Sequence, residues 1–202
     1  MASRLLNLMR VLTWNDFTKL KQSPAPGSTA EVAQTATDIV PSGIATEPIV
    51  GSSSVRLKDT IEVRIEFKPK ESWVFNWVFT QPQSYQDDLL NHENGHYKIA
   101  ALIGRDFFLA LMKLKANAYA NTAALRADID RVKKAIAEKA QPAQDKYDDD
   151  TKNGTDSGQQ TLWDGYISKA SITPVNPAEQ AADGTPIKIP LLTVLSQAGI
   201  NI

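Results

Sequence analysis

The chain has 202 residues, 42% of them hydrophobic, with 22 basic and 23 acidic side chains interleaved to a net charge of -1 and no cysteine. That length suits one domain with its own core, and the even mixing of charge argues against a basic nucleic-acid face or a polybasic membrane patch. Without cysteine there are no disulfides, thiolate nucleophiles or cysteine-ligated metals, so any metal must be held by nitrogen and oxygen.

The opening stretch to Trp14 carries short apolar pieces interrupted by Arg4 and Arg10, and so lacks the apolar core of an export signal. No run approaches the ~20 apolar residues needed to span a bilayer. The chain therefore either acts in the cytoplasm or is what remains after an export signal is removed. Residues 21–54, rich in Pro, Gly, Ser, Thr and Ala, predict loops with one or two short strands. Strict alternation from Ile61 to Phe67 predicts a strand with one face on a core and the other in water. The aromatic and β-branched run Trp73–Phe79 predicts a second extended segment, closed by Pro82. It is either a core strand or a sheet edge free to pair with a substrate.

Proline is then absent from Tyr85 to Lys139, and Leu89, His92, His96, Ile99, Ile103, Phe107, Leu111 and Leu114 form one helical stripe. A break is expected near Asn117–Asn121. A second helix, with Leu125, Ile129, Val132 and Ile136 on one face, follows from about Thr122, and Pro142 is expected to kink or interrupt it. Residues 147–158 are acidic and turn-like, Gly154 is a plausible helix stop, and a short helix is expected around Gln159–Ile167. From Ile172 onward Pro174, Pro177, Gly184, Pro186 and Pro190 suggest a linker, or an arm that packs elsewhere.

Both histidines of the chain lie in His92-Glu93-Asn94-Gly95-His96, an H-E-x-x-H pattern. One helical turn apart, the two imidazoles project from one face and can grip one zinc ion, while Glu93 can reach a water at that metal and serve as general base. With two histidines and eight glutamates in the chain, random placement gives this arrangement roughly 1 time in 2,500. A structural zinc site usually takes four protein ligands, and no further histidine or cysteine exists to complete one. Gly95, costly inside a helix by ~1 kcal/mol, predicts close approach of another backbone beside the metal.

The third ligand follows from the hairpin. If two antiparallel helices turn near residue 119, His92 faces the neighbourhood of 146 and His96 that of 142, which brackets Asp145 and Asp148. Asp148 is the first choice, with Asp149, Asp150 and Asp156 open. Tyr147 is a candidate to hydrogen-bond a reaction oxyanion.

These residues resemble a family of uncharacterised bacterial proteins described as secreted zinc-dependent proteases, whose motif is typically H-E-Q-G-H-F. Leu12-Thr13-Trp14-Asn15-Asp16-Phe17 is similar to that family's opening L-T-W-x-D-F, Ser72-Trp73-Val74 to its S-W-V, and Leu89-Leu90-Asn91 to its L-L-x-H-E lead-in. Tyr147-Asp148 with Thr151 and Gly154, then Gln160 and Trp163, resemble its later motifs, so the likeness runs from about residue 11 to 165. Where the family often carries a histidine before the glycine, this chain has Asn153. The resemblance implies a secreted or periplasmic location and a peptide or protein substrate.

The expected molecule is an α+β protein: a β-rich part over about residues 1–80 packs on an antiparallel helical hairpin over about 84–152, in a single zincin-like domain spanning 1–171, with 172–202 as tail or linker. The expected activity is zinc-dependent peptide hydrolysis, with His92, His96 and Asp148 holding the metal and Glu93 as base. The alternative is a degenerate scaffold of the same shape that binds a peptide or protein without cleaving it.

Overall fold

The computed structural model of the protein describes residues 2–21, 31–170 and 189–202. Among these residues eight short strands and four α-helices make an α+β fold. One sheet has the order β1-β7-β4, with β1 Arg4–Leu6 parallel and β4 Thr37–Ser42 antiparallel to the central β7 Glu62–Phe67. β7 is the strand that the alternating pattern predicts, and its inward residues Val63 and Ile65 are fully buried. Pro41 sits on β4, where a residue without an N–H is tolerated because the strand is an edge. A second sheet sets β8 Trp73–Phe75 between β2 Thr18–Leu20 and β3 Ala33–Gln34. β5 Thr46–Pro48 and β6 Val55–Leu57 form a hairpin.

This arrangement corrects one expectation. The extended run ends at Phe75, Asn76–Thr80 coil into a 3-10 turn, and β8 is paired on both sides. Its backbone is already spent within the sheet, so it offers no edge to a substrate. Of the loop-rich stretch 21–54, residues 22–30 lie outside the described residues, and the remainder holds three short strands.

Helix α1, Gln83–Lys115, runs through the middle of the molecule, touching β7 and β4 on one side and α2, Thr122–Thr151, and α3, Ser157–Ala170, on the other. The predicted stripe is buried from Leu89 to Leu111, but so are Ala101, Leu102 and Phe108 on other faces. A helix apolar all round belongs inside a protein, and each such side chain contributes about 1.5–3 kcal/mol on burial. Pro142 does not interrupt α2. It is exposed, so water can serve the carbonyl of Glu138 that its missing N–H leaves unbonded. The helix also continues through Tyr147–Thr151, which the sequence reads as turn.

Of the proline-rich tail, residues 171–188 lie outside the described residues, but its end does not hang free. α4, Leu191–Gln197, buries Leu191, Val194 and Leu195 against Ile99, Ile103 and Trp163. The fully buried Arg105 of α1 secures it, with Nη1 donating to the Ala170 carbonyl at 2.7 Å and Nη2 to the Ile189 carbonyl at 3.2 Å. The neighbouring Asp106 accepts from the Leu191 N–H. Among the described residues no helix is long and apolar enough to cross a membrane.

Candidate metal centre

The hairpin geometry brings three side chains to one point. Asp148 Oδ1 lies 3.1 Å from His92 Nε2 and 2.9 Å from His96 Nε2, and the two Nε2 atoms are 3.1 Å apart. Ligand atoms ~2.0–2.1 Å from a tetrahedral zinc are about 3.3 Å from each other, so this triangle has the dimensions of one face of such a site. His96 also faces Gln144, which puts the mirror point of the hairpin close to the predicted residue 119.

The tautomers are fixed from behind. Gln144 donates Nε2–H to the His96 carbonyl, so its Oε1, 2.7 Å from His96 Nδ1, must accept a proton from that nitrogen. Gln160 spends its Nε2–H groups on the Tyr147 hydroxyl and Asp164, and Thr151 donates its hydroxyl to the Tyr147 carbonyl. Gln160 Oε1 and Thr151 Oγ1, each 3.3 Å from His92 Nδ1, therefore act as acceptors. Both imidazoles carry hydrogen on Nδ1 and turn Nε2 toward the Asp148 carboxylate, as metal-binding histidines do when a partner on Nδ1 orients the ring. Left bare, the two Nε2 atoms and Asp148 Oδ1 would set three lone pairs about 3 Å apart, an arrangement that requires a cation between them. A proton on His96 can serve: burial alone would lower that imidazole's pKa, but the Asp148 hydrogen bond and the Glu93 and Asp148 charges raise it to about 9. Burial would push Asp148 up, yet the two histidines beside it hold it well below the usual carboxylate range. His92, His96 and Asp148 form a group that could hold a metal ion. Asp148 is its only partly exposed member, with a side chain 32% exposed against 2% for His92, so solvent reaches the centre past Asp148.

Residues 53–155, just over half of the chain, match a family model described as a bacterial protein of unknown function (DUF922). The chain belongs to that family. No curated protein and no solved structure matches it. The matched stretch of this DUF922 protein contains the motif helix, Ser72-Trp73-Val74 and the Tyr147-Asp148 turn of α2. The Leu12–Phe17, Gln160 and Trp163 segments lie outside it.

Each position of the DUF922 chain's motif has a separate task. The buried Glu93 accepts from Thr35 Oγ1 at 2.6 Å through Oε2. Burial raises its pKa against the opposing pull of the two histidines. Asn94 bonds the backbone of Leu12 in both directions, tying α1 to the N-terminal segment. Gly95 makes room for a side chain rather than the expected backbone, since a Cβ there would fall 2.1 Å from the Tyr147 hydroxyl oxygen. Gly154, with φ of +80°, closes on His92, where an added Cβ would fall 2.8 Å from the histidine Cβ. Asn153 lies in the same left-handed turn, and Asp148 completes the candidate group with the two histidines.

Tyr147 is corrected in role. Its ring stacks on His92 with centroids 4.7 Å apart, and its hydroxyl sits buried between the His92 carbonyl and Gln160. Burial pushes that phenol far up, so it holds the histidine in place rather than facing an oxyanion. Of the other acids considered, Asp150 bonds Trp163 and Lys146, Asp145 bonds Gln141, and Asp156 starts α3 by accepting from Gln159.

Sequence reasoning missed Gln144, Gln160, Thr35 and Glu31. Glu31 is exposed by surface area, yet crowding of its carboxyl and the charges of Glu93 and Asp148 push it up to about 7, which marks it as a third acid beside the centre. Gln160 stands in the quoted resemblance. Gln144 is one turn before Asp148 on the same helix face and could have been read from that spacing, but Thr35 and Glu31 carry no signal at all.

Proposed function

We propose that this protein is a zinc-dependent peptidase. The observation that carries the reading is the triangle of His92 Nε2, His96 Nε2 and Asp148 Oδ1 with both Nδ1–H groups locked by glutamine carbonyls, beside a buried glutamate. The donor set suits zinc: two neutral imidazoles and one carboxylate, with a fourth position left for water or substrate. A zinc ion held there would polarise a scissile carbonyl and lower the pKa of a water.

The chain's own residues supply the proton handling. Thr35 engages Glu93 Oε2, which leaves Oε1 to take the proton of the attacking water and return it to the departing amine. Burial brings the carboxyl closer to the working pH, where a base of this kind is most effective. Tyr147, Gln160 and Gly154 hold the His92 ring, and Gln144 holds that of His96.

Elemental analysis of the purified protein, together with digestion of a generic peptide library, tests the reading. Glu93→Gln should keep one zinc per chain and lose cleavage, because an amide cannot accept the water's proton. Cleavage at the wild-type rate by that variant would remove Glu93 from the role. Zinc binding without cleavage by the wild type would favour the peptide-binding scaffold.

A further inference from the structure

Beside the metal centre a groove of about 410 Å3 runs between β4, α1 and α2. Ile39, Ala100, Ile103 and Phe107 line it from β4 and α1, and Ile136 and Ala140 from α2. Gln144, which holds His96, stands at one end and Lys133 lies further back along α2, toward the opposite end. From His96 to Phe107 along α1 is about 16 Å, the length of about five extended residues.

The wall formed by β4 has unused backbone. Among the described residues β4 pairs only with β7, and the Lys68 N–H bonds the Ala36 carbonyl. By the alternation of an antiparallel ladder, Ala36, Asp38 and Val40 face β7, while Thr37, Ile39 and Pro41 turn their backbone outward. Among the described residues no hydrogen bond meets the N–H or C=O of Thr37 or Ile39. The same stretch of chain begins at Thr35, which holds Glu93, and Ser72 Oγ fixes it by accepting from the Ala36 N–H. The free edge therefore starts at the base and leads away along the groove. Of the charged groups on the groove, Asp38 is paired with Lys68, whereas Lys133 is exposed and has no ion pair among the described residues.

We infer that the groove takes an extended peptide as an added strand on β4, with apolar side chains against Ile39, Ile103 and Ile136 and an acidic residue at Lys133, about five positions from the bond held at the metal centre. The identity of that bond rests on the peptidase reading above; the binding itself does not.

The test uses the full-length zinc-loaded Glu93→Gln protein and fluorescein-labelled, capped octapeptides of alternating leucine and threonine, carrying aspartate, alanine or lysine at either end. Fluorescence anisotropy should show aspartate at one end binding about two- to fivefold more tightly than alanine, the scale of an exposed ion pair. Lys133→Glu should transfer that preference to lysine. Ala140→Trp, which fills the groove from the surface of α2, and N-methylation of alternate peptide bonds, which blocks strand pairing, should each weaken binding at least about tenfold. Zinc content measured on both variants confirms that the centre is intact. Binding indifferent to Ala140→Trp and to N-methylation overturns the inference, as does self-association abolished by Ala140→Trp in a protein that binds no peptide, which would assign the groove to a second copy. Cleavage by the wild-type protein is scored separately. Groove-dependent binding without cleavage ends the peptidase reading alone, and cleavage unaffected by Ala140→Trp ends the groove alone.

Discussion

The α1–α2 pair supplies all three candidate ligands and one of the two amides that orient the histidines, and α3 adds the other. The strand side contributes a single hydroxyl to the base, from Thr35, and a free edge on β4. On the helical side every ring N–H has a partner, whereas on the strand side backbone groups of Thr37 and Ile39 have none among the described residues. On the proposed reading, holding a metal and holding a substrate fall to different halves of the molecule, and substitutions should separate them.

The largest effect should follow from removing a ligand. His96→Ala should weaken zinc binding by at least about a hundredfold, beyond the 10- to 100-fold typical of losing only a supporting partner. Unchanged affinity in a zinc titration would end the metal assignment. Next comes the packing that holds the helical side together. Gly95→Ala drives a methyl group into the Tyr147 ring, so urea denaturation should show a loss of about 1–3 kcal/mol, the usual cost of overpacking. An undiminished midpoint would mean that the ring can move aside freely.

The proton on His96 gives a graded test of the same half. In the metal-free site this imidazole holds its proton up to about 9, and a metal must displace it. Affinity should therefore fall about tenfold for each pH unit below that value, with one proton released per zinc bound. Calorimetry in buffers of different ionisation enthalpy counts the proton, and no release at pH 7 would contradict the assignment. The smallest effect belongs to the strand half. Thr35→Val removes the hydroxyl from Glu93 and should lower kcat by about tenfold, within the range of a perturbed general base, while zinc affinity stays unchanged. Loss of zinc in this variant would show that the two halves are not separable.

The candidate ligand group was legible because helices make sequence spacing geometric. A four-residue step placed His92 and His96 on one face, and equal rise per residue along an antiparallel pair pointed from them to Asp148. Strand β7 was legible for a similar reason, its two-residue period. The sheet neighbours were not, because β1 meets β7 and β2 meets β8 across more than fifty residues, and no local pattern encodes such partners. Trp73–Phe79 misled because aromatic residues suit a strand and a 3-10 turn packed on a core equally well. Thr35 and Glu31 reach the site through that same long-range pairing. Pro142 misled because the cost of a proline in a helix depends on exposure, which composition does not reveal.

Arg105 joins two distant points of the chain, since one guanidinium bonds the carbonyls of both Ala170 and Ile189. The last residue of α3 and the residue two before α4 are thereby held by a single guanidinium. One side chain of α1 thus acts as a rivet for two other helices, so its loss would loosen α4 while leaving the candidate ligand group in place.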